Sequence, residues 1–288
     1  MRQRIDKLGS NGLNTDVNPY LLEPQSMTKM QNMVTLDGEL RTVTGEVKLF
    51  DLDIKPTYHA SFMAIDGTQL LIVSDGAKVY AYKLDGTFED ITPETDPQAD
   101  WSGGRVSFTN LNGILVVNSK TDGPFYWGGA TTKLVPLPGW DALWRCEVMV
   151  AFRYYLVALA MVEDSKDYPY KIRWSTSAAE GDIPLLWEPA ADNEAGDELL
   201  GESPGHIVGG VPARDALFIV KEDSIYEMKW IGGTYVMQVS RLHGGVGTEL
   251  VNGFAEMGGA IVIMGNGDVS VFDGQSQSSI VTGMIKTA

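Results

Sequence analysis

The chain has 288 residues, of which 44% are hydrophobic and 32 are glycine, and a formal charge of −16. That length fits one unit if the protein is all-β, and glycine in short turn clusters favours many strands joined by tight turns. The acidic balance repels phosphate backbones and argues against sequence-specific nucleic-acid binding, which needs the opposite sign. The single cysteine, Cys146, excludes an intrachain disulfide.

In chain order, the N-terminus MRQRIDKLGSNG has two arginines but no apolar run behind them, so it does not read as a signal peptide. PQSMTKMQNMVTL (24–36) places Met27, Met30 and Met33 or Val34 at helical spacing after Ser26, a suitable N-cap. One short helix is expected there, within an N-terminal arm and platform segment covering residues 1–50.

From residue 51 to 288 the expectation is all-β. Five similar units follow one another: TQLLIVSDGAKVYAYKLDG (68–86), NGILVVNSKTDGPFYWGG (112–129), RYYLVALAMVEDSKDYPYKIRWS (153–175), DALFIVKEDSIYEMKWIGG (215–233) and GGAIVIMGNGDVSVFDG (258–274). Each is an aliphatic strand, a polar turn and a second strand, as a hairpin should be. A strand repeat of roughly 40–50 residues is the mark of a β-propeller, whose blades bury one another's faces. Tyr80, Tyr126, Tyr226 and Phe272 fall at comparable places on the second strands and are expected to pack between blades. The longest apolar stretch, MVAFRYYLVALAMV (149–162), is too short and too interrupted to span a bilayer. These features read as a soluble protein made in a reducing compartment.

One interval is stretched to about 60 residues. It holds IRWSTSAAEGDIPLLWEP (172–189), bracketed by Trp174 and Trp187, and EPAADNEAGDELLGESPGHIVGG (188–210), an acidic, Gly/Pro-rich segment that reads as a long loop on one face. Trp174 and Trp187 could stack on a sugar, but a tryptophan at a strand end usually packs, with its N–H on a carbonyl. They are expected to be packing anchors.

Catalytic patterns are weak. GESPG (201–205) matches G-x-S-x-G with Ser203 as nucleophile and His206 or His243 as base, but Pro204 supplies no N–H for an oxyanion hole. His59, His206 and His243 are far apart in sequence, and no Cys/His spacing suggests zinc. HGGVGTE (243–249) lacks the Lys-Ser/Thr of a phosphate loop, and the aspartates of FDLD (50–53) and GNGDVSVFDG (265–274) lack EF-hand spacing. NSKTDGPFYW (118–127) matches the Asp-box of sialidase-type propellers poorly. No catalytic residue, metal ligand or cofactor site is expected.

The run FRYYLVALAMVEDSKDYPYKIRWSTSAAEGDIPLLWEP (152–189) resembles a recurrent segment in tail proteins of short-tailed bacteriophages. NMVTLDGELRTVTG (32–45), LNGILVVNSKTDGPFYW (111–127), DALFIVKEDSIYEMKWIGG (215–233) and NGDVSVFDG (266–274) are similar to other motifs of that family, in the same order. Each motif alone is weak, and together they cover most of the chain. The family is the tail nozzle, or tail tubular protein B, family.

The resemblance implies a non-enzymatic virion protein, made in the bacterial host cytoplasm and built around a β-propeller. It implies a sixfold ring of copies beneath the head–tail adaptor, contacts with tail fibres or tailspikes, no membrane insertion, and double-stranded DNA passing through without sequence-specific binding. In such a ring the acids Glu188, Asp192, Glu194, Asp197, Glu198 and Glu202 either line a constriction that repels phosphates or sit on a solvated outer face. Members generally continue well beyond FDGQSQSSIVTG, whereas this chain stops at Ala288. It is therefore a short member, a cut chain, or one whose last blade takes strands from a partner. A carbohydrate-binding propeller and a propeller hydrolase are the alternative readings.

Overall fold

The computed structural model describes residues 9–14, 17–36, 39–43, 45–94, 101–129, 133–233, 235–244, 247–265 and 268–280. The chain divides between Leu49 and Phe50 into two compact units.

In the first unit, β1 (Met33–Leu36) pairs antiparallel with β2 (Glu39–Thr42), Val34 opposite Arg41. A 3-10 turn, Pro19–Leu21, is capped by Asn18, whose Oδ1 accepts from the Tyr20 N–H at 3.1 Å. The helix expected over 24–36 does not form. Asn32 adopts a left-handed φ of 54°, which a right-handed helix cannot contain, and residues 33–36 pair as a strand instead. The methionine spacing in this segment was a coincidence of period.

The second unit consists of five four-stranded antiparallel sheets, each made of four consecutive strands. Blade I is β3 (Tyr58–Met63), β4 (Gln69–Ser74), β5 (Val79–Lys83) and β6 (Phe88–Asp90). Blade II is β7 (Val106–Leu111), β8 (Ile114–Ser119), β9 (Gly123–Trp127) and β10 (Val135–Pro136). Blade III is β11 (Arg145–Phe152), β12 (Tyr155–Glu163), β13 (Lys166–Trp174) and β14 (Gly196–Leu199). Blade IV is β15 (Ile207–Ala213), β16 (Ala216–Lys221), β17 (Ser224–Trp230) and β18 (Met237–Gly244). Blade V is β19 (Phe254–Met257), β20 (Ala260–Gly265), β21 (Asp268–Phe272) and β22 (Gln277–Ser279). This is a five-bladed β-propeller, and the five hairpins legible in the sequence are the two middle strands of each blade. Blade V is completed by its own consecutive strand β22, not by one from the other terminus.

The second strand of a blade is covered on both faces, so it reads as an unbroken apolar run. Every residue of β8 (ILVVNS) and β16 (ALFIVK) is buried. Four apolar cores join successive blades. Phe62, Ile72 and Val79 meet Val117, Phe125 and Trp127 between blades I and II. Val116 meets Met149, Leu156 and Trp187 between II and III. Leu159, Ile172 and Trp174 meet Leu217, Tyr226 and Met228 between III and IV. Phe218 and Ile225 meet Ile261, Ile263 and Phe272 between IV and V.

Among the described residues no such core joins blade V to blade I. The outward face of blade I, with Val73, Tyr80 and Tyr82, is instead covered by Phe50, Leu52 and Ile54. Phe50 stacks on Tyr82 at 5.7 Å, and Phe88 stacks on both Tyr80 and Tyr82. Tyr126, Tyr226 and Phe272 lie between blades, but Tyr80 lies on this outward face. The linker into blade II lies on the β4–β5 turn: Gly103, at φ +81°, is so close to the Gly76 carbonyl that any side chain there would collide.

Candidate functional site

The strand β13 carries the centre of blade III. Its alternation puts Lys171 and Arg173 on one face of the sheet. Register pairs Arg173 with Asp197 on β14. Lys171 Nζ donates to Glu163 and Asp197, both at 2.8 Å, and Arg173 Nη2 donates to the same two carboxylates at 2.9 and 3.2 Å. Arg173 Nη1 donates to the Trp187 carbonyl at 3.0 Å, and the guanidinium lies 4.1 Å from the Trp144 ring. Two cations and two carboxylates thus neutralise each other at a largely buried position.

Trp174 and Trp187 are 8% and 1% exposed. Trp174 Nε1–H donates to the Glu194 carbonyl at 2.9 Å, and Trp187 meets Trp140 edge to face at 4.7 Å. Neither indole offers a face to a ligand.

The segment 188–210 is not one long loop. It contains β14, the outermost strand of blade III, and the start of β15, the innermost strand of blade IV. The ion pairs of Asp197 tie β14 to β13, and Gly196 lies against the Trp174 indole so closely that a Cβ would collide with it. The acidic composition concealed a strand whose side chains are mostly solvated.

The six acids therefore separate. Asp197 is neutralised by Lys171 and Arg173. Glu194 accepts from the Ser177 hydroxyl and N–H, at 2.6 and 3.1 Å, and these bonds hold its carboxyl below the ordinary range. Glu188, Asp192, Glu198 and Glu202 face solvent. Desolvation, and then the neighbouring charge of Glu202, push the Glu198 carboxyl above the ordinary range.

Two cavities follow the propeller axis. One of about 370 Å³ is lined by innermost strands, including His59 and Ala60 of β3, Ser107 and Thr109 of β7, Val148 and Val150 of β11, Gly210 of β15 and Phe254 of β19. A second of about 370 Å³ shares Arg105 and Val208 with it and adds Lys120, Glu147, His206, Glu222 and Glu249. Arg105 and Lys120 are both paired with Glu147. No carboxylate lines the first cavity among the described residues.

Ser203 is buried, and its hydroxyl shares a 2.7 Å hydrogen bond with that of Ser224. No helix follows it, as a nucleophile elbow would require. Beside it, Lys221 is fully buried, with Nζ donating to the carbonyls of Leu200 and Ser203 at 2.7 and 2.8 Å. Burial pushes this ammonium below its ordinary range. His206 is exposed, edge to face with Tyr170, and His59 lines the axial cavity. His243 lies in β18, and residues 245 and 246 of HGGVGTE lie outside the described residues, as do residues 266 and 267 of GNGDVSVFDG. Cys146 is buried with its thiol pushed up by desolvation, and Sγ–H donates to Asn118 Oδ1.

Sequence reasoning missed the Glu163–Lys171–Arg173–Asp197 group and Lys221. For Glu163 and Lys221 the available signal was a charged residue ending an otherwise apolar strand, which is buried only when paired; Lys171, Arg173 and Asp197 carried no such signal.

No family model and no curated protein sequence matches the chain. Solved structures do. A catalytically inactive virginiamycin B lyase from Staphylococcus aureus, with quinupristin, superposes with TM-score 0.51 at 12% identity, over 88% of this chain and 79% of that one. BBS1N in complex with ARL6DN, soaked with lead, gives TM-score 0.51 at 13% identity, over 85% and 74%. The extracellular domain of the hybrid two component system BT4673 from B. thetaiotaomicron gives TM-score 0.48 at 11% identity. The chain spans 85% of itself there but 30% of that protein's length. At these identities the likeness is one of fold, and the chain is a β-propeller.

Proposed function

We propose that this chain is a structural subunit of a short-tailed phage tail, one copy in the nozzle ring around the DNA exit channel. The motif order along the chain supports the family. The observation that carries the mechanism is where the free carboxylates stand. Glu198 is on β14, the outer edge strand of blade III, with Glu188, Asp192 and Glu202 on its flanks, whereas the two cavities along the propeller's own axis, at about 370 Å³ each, have no room for a duplex, and the carboxylates Glu147, Asp167, Glu222 and Glu249 line only the second of them among the described residues. An acid-lined passage must therefore be built between copies, with the β14 edge of each turned to the lumen. Fixed negative charge there repels phosphates and keeps the genome from sticking as it slides. The rigid part is the blade III–IV core, which holds this edge in place through Trp174 and Arg173.

Immunogold electron microscopy of the intact particle, with antibody against this chain, tests the reading. Label confined to the tail axis below the head is expected. Particles that carry no label, while the free protein binds the antibody, would contradict it.

A further inference from the structure

Two surfaces of this chain leave apolar side chains without cover. The first is the outward face of blade V. Strand alternation sends Ile261, Ile263 and Phe272 into the core with blade IV and leaves Val262, Met264, Val269 and Val271 on the other face. There Val262 is paired across the sheet with Val271, and Met264 with Val269. Met264 is 52% exposed, and no described core covers this face. The corresponding face of blade I already has its cover, in Phe50, Leu52 and Ile54.

The second surface is the N-terminal unit. It exposes Tyr20, Leu21, Val34, Leu36, Val47 and Leu49, the last two at 82% and 80%. A two-stranded ribbon with this much exposed apolar surface is marginal by itself and calls for a partner. Its charge points to which one. Met1–Leu49 carries six Lys/Arg and six Asp/Glu, so it is neutral, and the propeller carries the whole −16. Two propellers meeting face to face would repel. A neutral apolar arm laid on an acidic propeller avoids that cost.

We infer that the N-terminal unit of one copy docks on the outward face of blade V in a second copy. The contact joins two different patches, so it is heterologous and propagates from copy to copy until a ring closes. This inference rests on the ring reading and names the surfaces that build it.

Five variants test it, all at exposed positions so that folding is spared. Light scattering of the full chain is expected to show an assembly larger than the 31.4 kDa single chain. In V47D/L49D, and separately in M264E, the dissociation constant of that assembly is expected to rise at least tenfold, with unchanged circular dichroism. A V47C chain mixed with an M264C chain and oxidised with copper phenanthroline should give a dimer containing one of each, while each alone should not. A wild-type chain that stays a single copy at all concentrations would overturn the inference. So would assembly untouched by either charge variant. A disulfide forming within one dilute chain carrying both V47C and M264C would assign the docking to the same chain and overturn it as well. Label on the tail axis without the mixed dimer would remove this contact and leave the nozzle reading. Unlabelled particles with the mixed dimer present would do the reverse.

Discussion

Arg173 shows how one side chain holds a blade. Its guanidinium bonds Glu163, Asp197 and the Trp187 carbonyl while lying over Trp144, so strands β12, β13, β14 and the return through Trp187 converge on it. Removing one partner of a buried charge group strands the others, at about 3–5 kcal/mol. R173A is therefore expected to lose about that much stability in urea unfolding, and a change within about 0.5 kcal/mol, the range of ordinary surface substitutions, would show the group to be incidental. Glu198 gives the opposite sign. Its folded carboxyl titrates above the unfolded one because of desolvation and Glu202. The fold then favours the protonated form, and ionisation at neutral pH is a cost that disappears as pH falls below the ordinary carboxylate range. E198Q is expected to be more stable than the wild type at pH 7 and equal to it near pH 3. Equal stability at both would refute the assignment.

At the scale of elements, the middle strands of all five blades were legible and the outer ones were not. A strand covered on both faces reads as a near-continuous apolar run, as in β12 (YLVALAMVE) and β16 (ALFIVK), where only the last residue is charged. An edge strand such as β14 (GDEL) or β22 (QSS) has mostly solvated side chains, and nothing in its composition separates it from a loop. The same reasoning explains the false helix over 24–36: methionine spacing implied a period, but Asn32 and the pairing of β1 decided the backbone. The tryptophans of blade III were readable as packing residues, whereas Arg173 was not, because its partners lie 10 and 24 residues away and only the register unites them. Blade cover should also appear as protection. Blades III and IV share cores on both faces, and blade V shares one on its blade IV side. In the single chain, diluted below the concentration at which copies associate, amide hydrogen exchange by mass spectrometry is expected to be slowest in β12 and β16 and markedly faster in β20 and β21. Uniform exchange across the blades would contradict an uncovered blade V.

At the scale of the whole molecule, charge and shape divide the labour. The propeller supplies rigid, interlocked sheets and all of the net negative charge, while the N-terminal unit is neutral and apolar. The axial cavities are small, at about 370 Å³ each, so the DNA passage we propose would lie between copies and not within the single chain. Fold alone carries no activity, and the lyase that superposes on this chain at 12% identity speaks only for the scaffold. The most direct test is a cryo-electron microscopy map of the particle tail at a resolution that distinguishes strands. The account predicts a ring of copies of this propeller on the tail axis, with β14 and the side chains of Glu198 and Glu202 facing the lumen. A tail without this propeller, or a ring in which β14 faces outward and another edge lines the passage, would contradict it.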